Sequence, residues 1–152
     1  MGIGEGVTTV TGDPDPDDAR PPVGSIVASA AELAELYRAP SRIVAAKKAA
    51  VLDEATVGLI AASPFLLIGT LGADGDLDVS PRGGPPGFLR VLDDRHVAIP
   101  DLNGNNLIDS LSAVVATGRA ALLVIVPGKD ETVRINGRAW AVSYTHLTLP
   151  TS

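Results

Sequence analysis

Residues 65–83, FLLIGTLGADGDLDVSPRG, hold the reading that decides the fold. Phe65-Leu-Leu-Ile68 is a short continuous apolar run, the mark of a buried strand. Ala73-Asp-Gly-Asp76 follows as a turn, with Asp74-Gly75 as its hairpin signal. The chain then returns with Leu77 and Val79 alternating with Asp78 and Ser80. Alternation puts Asp78, Ser80 and Arg82 on one face and predicts that Leu77 and Val79 face the core. Gly83-Gly-Pro-Pro-Gly87 breaks the strand.

Downstream, Phe88 to Leu92 and His96 to Ile99 read as a second hairpin around Asp93-Asp94. Asp101 to Asn106 is a loop, and a helix is predicted from Leu107 to about Ala116. Leu107, Ile108, Leu111, Val114 and Val115 fall at helical spacing, and Gly118 is the C-terminal cap. Ala120 to Val126 and Thr132 to Ala139 read as two more strands, with a turn beginning at Pro127-Gly128.

Upstream lie helices. Ser29-Ala-Ala-Glu32 is a capping box; Leu33, Leu36 and Tyr37 form one stripe; Pro40 stops the helix. Ser41 to Val51 reads as a second helix with Lys47 and Lys48 on its wet side. Asp53 caps a third, through Leu59 and Ile60, ending near Pro64. The order predicts an α+β protein, mainly β. Its sheet is antiparallel, closed or partly closed into a barrel, with helices before it and one helix between strands.

The ends read differently. Residues 1–25 hold Asp13, Asp15, Asp17 and Asp18 among Pro14, Pro16, Pro21 and Pro22. Such composition favours a disordered, solvated leader; the other reading is an acidic interaction arm. Residues 142–152, VSYTHLTLPTS, look like translated read-through of a sequencing adapter. The expectation is a folded domain over 26–141 whose natural chain runs on beyond Ala141, followed by a non-native tail.

Composition narrows the function classes. The chain has 152 residues, 45% hydrophobic and 20% charged, enough to bury a core. It has no cysteine, which removes disulfides, thiolate zinc sites and thiol nucleophiles. A net charge of −6 argues against nucleic acid as a partner. The longest apolar run, Ala120 to Val126, falls far short of the ~20 residues that cross a bilayer, and no signal sequence opens the chain. A cytoplasmic address with no membrane partner is expected. The two histidines, His96 and His146, show no metal-ligand spacing, so no metal site is predicted. His96 reads as a half-exposed structural residue. No phosphate-binding P-loop and no serine-hydrolase elbow occurs, and no catalytic residue is assigned.

Three polar patches interrupt the apolar strands. In Asp78-Val-Ser-Pro-Arg-Gly83, Arg82 is either a fixed donor for an anion or polar ring edge, or a surface arginine at a strand end. Pro100-Asp-Leu-Asn-Gly-Asn-Asn106 runs into a helix N-terminus with Asn106 as cap and Asp109 three residues on. It is either an anion cradle suited to phosphate or ordinary capping chemistry. In Thr132-Val-Arg-Ile-Asn-Gly-Arg138, Thr132, Arg134, Asn136 and Arg138 share one face. That face is either a ligand or interface contact, or a wet outer surface.

In this order the patches, with Phe65-Leu-Leu-Ile-Gly69, Asp109-Ser110-Leu111 and Glu131-Thr-Val-Arg-Ile-Asn-Gly-Arg-Ala139, resemble the pyridoxamine-5′-phosphate-oxidase-like split-barrel flavoproteins. The nearest branch is their general oxidase-related, FMN-binding bacterial group. The resemblance covers about residues 29–141. It implies a split-barrel homodimer with FMN at the subunit interface and flavin-mediated hydride or electron transfer with a small-molecule substrate. Carried over by position, Ser80 and Arg82 lie along the flavin ring and ribityl chain. Asp101, Asn105 and Asn106 lie near the ribityl-phosphate end, and Arg134 and Asn136 approach from the strand after the helix. Leu107 stands where many relatives carry an arginine. Related split barrels switch cofactor, so a deazaflavin-dependent reductase is the alternative enzyme. A non-catalytic flavin- or haem-binding module is the alternative outside enzymes.

Overall fold

A computed structural model describes residues 27–37, 50–100 and 108–142. The chain divides into two units, 1–48 and 49–152, each taken by itself. The first contributes α1, Ala30–Leu36. Ser29 Oγ accepts the Glu32 amide at 3.1 Å, as a capping box requires. The Glu32 carboxylate reaches one residue further back than expected, to the Ala28 amide at 2.8 Å. No residue of α1 is buried, and its Leu33, Leu36 and Tyr37 stripe is exposed. The second helix predicted from Ser41 lies almost wholly outside the described residues.

The second unit is built on one sheet. Helix α2 (Glu54–Ala62) starts at Asp53, whose carboxylate accepts the Thr56 amide at 2.8 Å. Ser63 ends it and the chain enters β1, Phe65–Leu71. The Asp74-Gly75 turn returns it as β2, Leu77–Gly83, with Gly75 at φ 92°. The second hairpin is shorter than predicted: β3 is Arg90–Val91 and β4 is Val97–Ala98. Helix α3 (Ile108–Thr117) ends where Gly118 takes φ 66° and its amide bonds the Val114 carbonyl at 2.8 Å. This is a left-handed cap at the predicted glycine. β5 (Arg119–Ile125) and β6 (Thr132–Arg138) complete the sheet, in the order β2-β1-β5-β6, every pairing antiparallel.

The α+β class and the antiparallel sheet are therefore as predicted. Closure into a barrel is not seen: among the described residues β2 and β6 are open edges, and β3–β4 forms a separate two-stranded sheet.

Alternation along β1 divides the sheet cleanly. Leu66, Ile68 and Thr70 are buried, and Leu122, Val124 and Val133 lie on the same face. Ile60 of α2, with Phe88 and Leu89 ahead of β3, packs on that face as one core. Helix α3 packs against β1. Its buried positions are Ser110, Ala113 and Val114, whereas Leu111 and Val115 are 40% and 74% exposed. The predicted apolar stripe is thus rotated. The helix meets the sheet through Ser110, Ala113 and Val114 and turns Leu111 and Val115 away.

Candidate functional site

The first polar patch lies on β2. Asp78, Ser80 and Arg82 share a face as predicted, but that face is the inward one. Register pairs Ser80 with Ile68 and Arg82 with Leu66, both core residues. Leu77 and Val79 point outward, 82% and 65% exposed, which corrects the expectation that they face the core. The reason is register. Once the Asp74-Gly75 turn pairs Leu71 with Leu77, every odd residue of β2 follows the outer residues of β1.

Arg82 is buried to 8% exposure. Its Nη1 donates to Ser80 Oγ and, at 2.8 Å, to the Pro81 carbonyl. Ser110, on the first turn of α3, donates to Asp78 Oδ2 at a long 3.5 Å. Thr70 lies opposite Asp78 and is 4% exposed, with no partner for its hydroxyl among the described residues. Strand alternation does not single out Thr70, which sits inside an apolar run, and Ser110 is singled out only within the Asp109-Ser110-Leu111 motif. Ser63 was passed over too. It is fully buried, and its hydroxyl lies 2.6 Å from the Ile125 carbonyl, joining the start of β1 to the end of β5. A serine directly before Pro64 at a helix end was the available signal.

The third patch lies on β6. Arg134 and Asn136 are exposed on one face, as predicted, while Val133 is buried and Ile135 half-buried. Through the registers Arg134–Leu123–Leu67–Pro81 and Asn136–Ala121–Gly69–Val79, that face is the outer one. The structure therefore joins Ser80 to Arg82 and places Arg134 beside Asn136, but it does not join the two pairs. They sit on opposite faces and on opposite edges of a four-stranded sheet. Three strand spacings separate the edges, roughly 14 Å. The second patch, with Asp101, Asn105, Asn106 and Leu107, lies outside the described residues.

The remaining chemistry is sparse. His96 is half-exposed, as read, and its Nδ1 lies 2.8 Å from Asp93. Asp93 also accepts the Arg95 and His96 amides, and these bonds, that from Arg95 foremost, hold its carboxyl below the ordinary range. Among the described residues no group of three or more His, Cys, Asp or Glu is placed to hold a metal. None of their helices is long and apolar enough to cross a membrane.

The donor set suits a flavin mononucleotide in kind. Guanidinium, hydroxyl and amide groups match phosphate, ribityl hydroxyls and flavin carbonyls. Within one chain, though, no single cofactor can meet both the Ser80–Arg82 pair and the Arg134–Asn136 pair.

No curated protein and no solved structure matches the chain. One family model does, described as pyridoxamine 5′-phosphate oxidase; its match spans residues 52–147. The matched span opens just before α2 and takes in all six strands. It covers well over half of the chain. The family commonly binds flavin. The chain belongs to the pyridoxamine 5′-phosphate oxidase family.

Proposed function

We propose that this chain is an FMN-dependent oxidoreductase, working as a cytoplasmic homodimer on a small molecule, with its sheet forming part of a split barrel. The observation that carries this reading is the outer sheet face. Leu71, Leu77 and Val79 are exposed toward one edge of it, and Arg134 and Asn136 toward the other. Gly69 lies in the middle of the face, and a Cβ added to it would meet Ala121 at an ordinary 3.8 Å. Nothing among the described residues requires that low spot, whereas a second copy or a flat ring laid on the face would use it. A family that commonly binds flavin supplies the ring.

Arg134 and Asn136 hold the cofactor from the outer face of one copy. Ser80 and Arg82 hold it from the inner side of the other, and Asp101, Asn105 and Asn106 hold its phosphate end. When bound, the flavin supplies hydride exchange at its ring. The protein's part is to place the arginines where reduced flavin gathers negative charge and to keep them there. Burial fixes Arg82 for that task, since its guanidinium is already anchored to Ser80 and Pro81.

Mass spectrometry of the cofactor that copurifies, followed by titration of the stripped protein with FMN, tests the reading. One FMN per chain is expected. A colourless protein that ignores added FMN contradicts it. Leu107, where relatives carry arginine, favours running a deazaflavin coenzyme in parallel. Turnover with a reduced nicotinamide donor separates the enzyme from a flavin- or haem-binding module.

A further inference from the structure

The corner where α3 runs into β5 holds a groove of about 250 Å³, lined by Val114, Val115, Gly118, Arg138 and Trp140 among others. None of the residues assigned to the cofactor lines it. Clefts for drug-sized ligands run from about 300 to 1,000 Å³, so this one has room for a small ring and not for a dinucleotide or a whole flavin.

Its walls are part polar and part apolar, and the residues at its rim are exposed. Val115 is 74% and Trp140 64% exposed. The Arg138 guanidinium carbon lies 5.9 Å from the centre of the Trp140 ring. Arg119 stands directly opposite Arg138 in the β5–β6 register. The two cations thus leave one face of neighbouring strands, a placement that repels. Among the described residues neither takes part in an ion pair. The partial negative charge at the end of α3 accounts for a cation next to Gly118. It does not account for a second one across the strand.

A carboxylate resolves that repulsion, because two guanidinium groups on one side offer the paired donors it accepts. We propose that this corner binds a small aromatic carboxylate, its ring between Trp140 and Val115 and its charge on Arg119 and Arg138. This site shares the outer sheet face with Arg134 and Asn136 but does not rest on the flavin reading.

Trp140 is the chain's one tryptophan, so tryptophan emission, excited selectively over the two tyrosines, reports on this groove. The full chain is titrated with benzoate and, separately, with neutral benzamide. Saturable change with benzoate is expected, with benzamide weaker by about tenfold or more. Arg119→Gln and Arg138→Gln should each weaken benzoate by about tenfold, while Arg90→Gln, an exposed arginine on β3, leaves it unchanged. Circular dichroism confirms that the variants fold. Calorimetry repeats the titration without relying on the fluorophore. No saturable benzoate signal by either method overturns the proposal; so does equal binding of benzamide, or full affinity in both glutamine variants. FMN titrated into the same samples reports on the cofactor reading separately, so either result stands without the other.

Discussion

Arg82 and Arg134 carry the same charge in opposite settings, one 8% exposed and the other on an open face. On the proposed function, replacing either one by alanine removes charge-assisted hydrogen bonds to the cofactor, worth roughly 1.5–3 kcal/mol, so FMN affinity should fall by about tenfold or more. Stability separates the two. Arg134→Ala should leave the urea midpoint in place, whereas Arg82→Ala abandons a buried network and should cost about 1–3 kcal/mol. Unchanged FMN affinity in both variants would remove these residues from the site. Alternation in the sequence showed that Ser80 and Arg82 share a face. Which face it is depends on pairing with β1, and no local pattern carries that. Ser63 was still less legible, because its importance comes from the Ile125 carbonyl 62 positions away. Ser63→Ala strands that buried carbonyl and should lower unfolding free energy by about 1–3 kcal/mol in a denaturant titration.

At the scale of elements, turn and cap chemistry was the most legible part. Asp53, Asp74-Gly75 and Gly118 stand where the sequence put them because each acts through its immediate neighbours. The apolar stripe of α3 is only partly legible: Val114 is buried as expected, but helical spacing cannot tell that Ser110 and Ala113 join it while Leu111 and Val115 turn away. The β3–β4 turn makes a prediction about acid. The Arg95 amide, then His96, hold the Asp93 carboxyl below its ordinary value of 3.8. A carboxyl depressed in the folded state stabilises the protein above the unfolded value, and this is lost as pH falls through the folded one. Thermal stability should therefore decline below about pH 4, and Asp93→Asn should flatten part of that acid limb while lowering Tm at pH 7. An identical acid limb in the variant would show that this turn contributes nothing to it.

At the scale of the molecule, the sheet has one face packed under α2, α3 and the core, and one face that no described element covers. Composition and strand order gave the α+β class and the antiparallel sheet. They could not give closure, which requires bonds between β2 and β6 or through further strands, and the described residues leave both as edges. An uncovered face carrying Leu71, Leu77 and Val79 invites association. Val79→Asp puts a charge on that apolar patch, so it should shift the protein toward monomer in size-exclusion chromatography while leaving the core, and hence circular dichroism, intact. A variant that elutes as the parent does would take Val79 out of the interface.

On the proposed function the flavin is held between two copies, since one chain turns its two donor pairs to opposite faces. Sedimentation velocity of the FMN-loaded protein, followed at the flavin's visible absorption, tests it most directly. FMN should travel with the dimer and leave the boundary as dilution or Val79→Asp produces monomer. Flavin travelling on the monomer, or none travelling with protein at all, would contradict it.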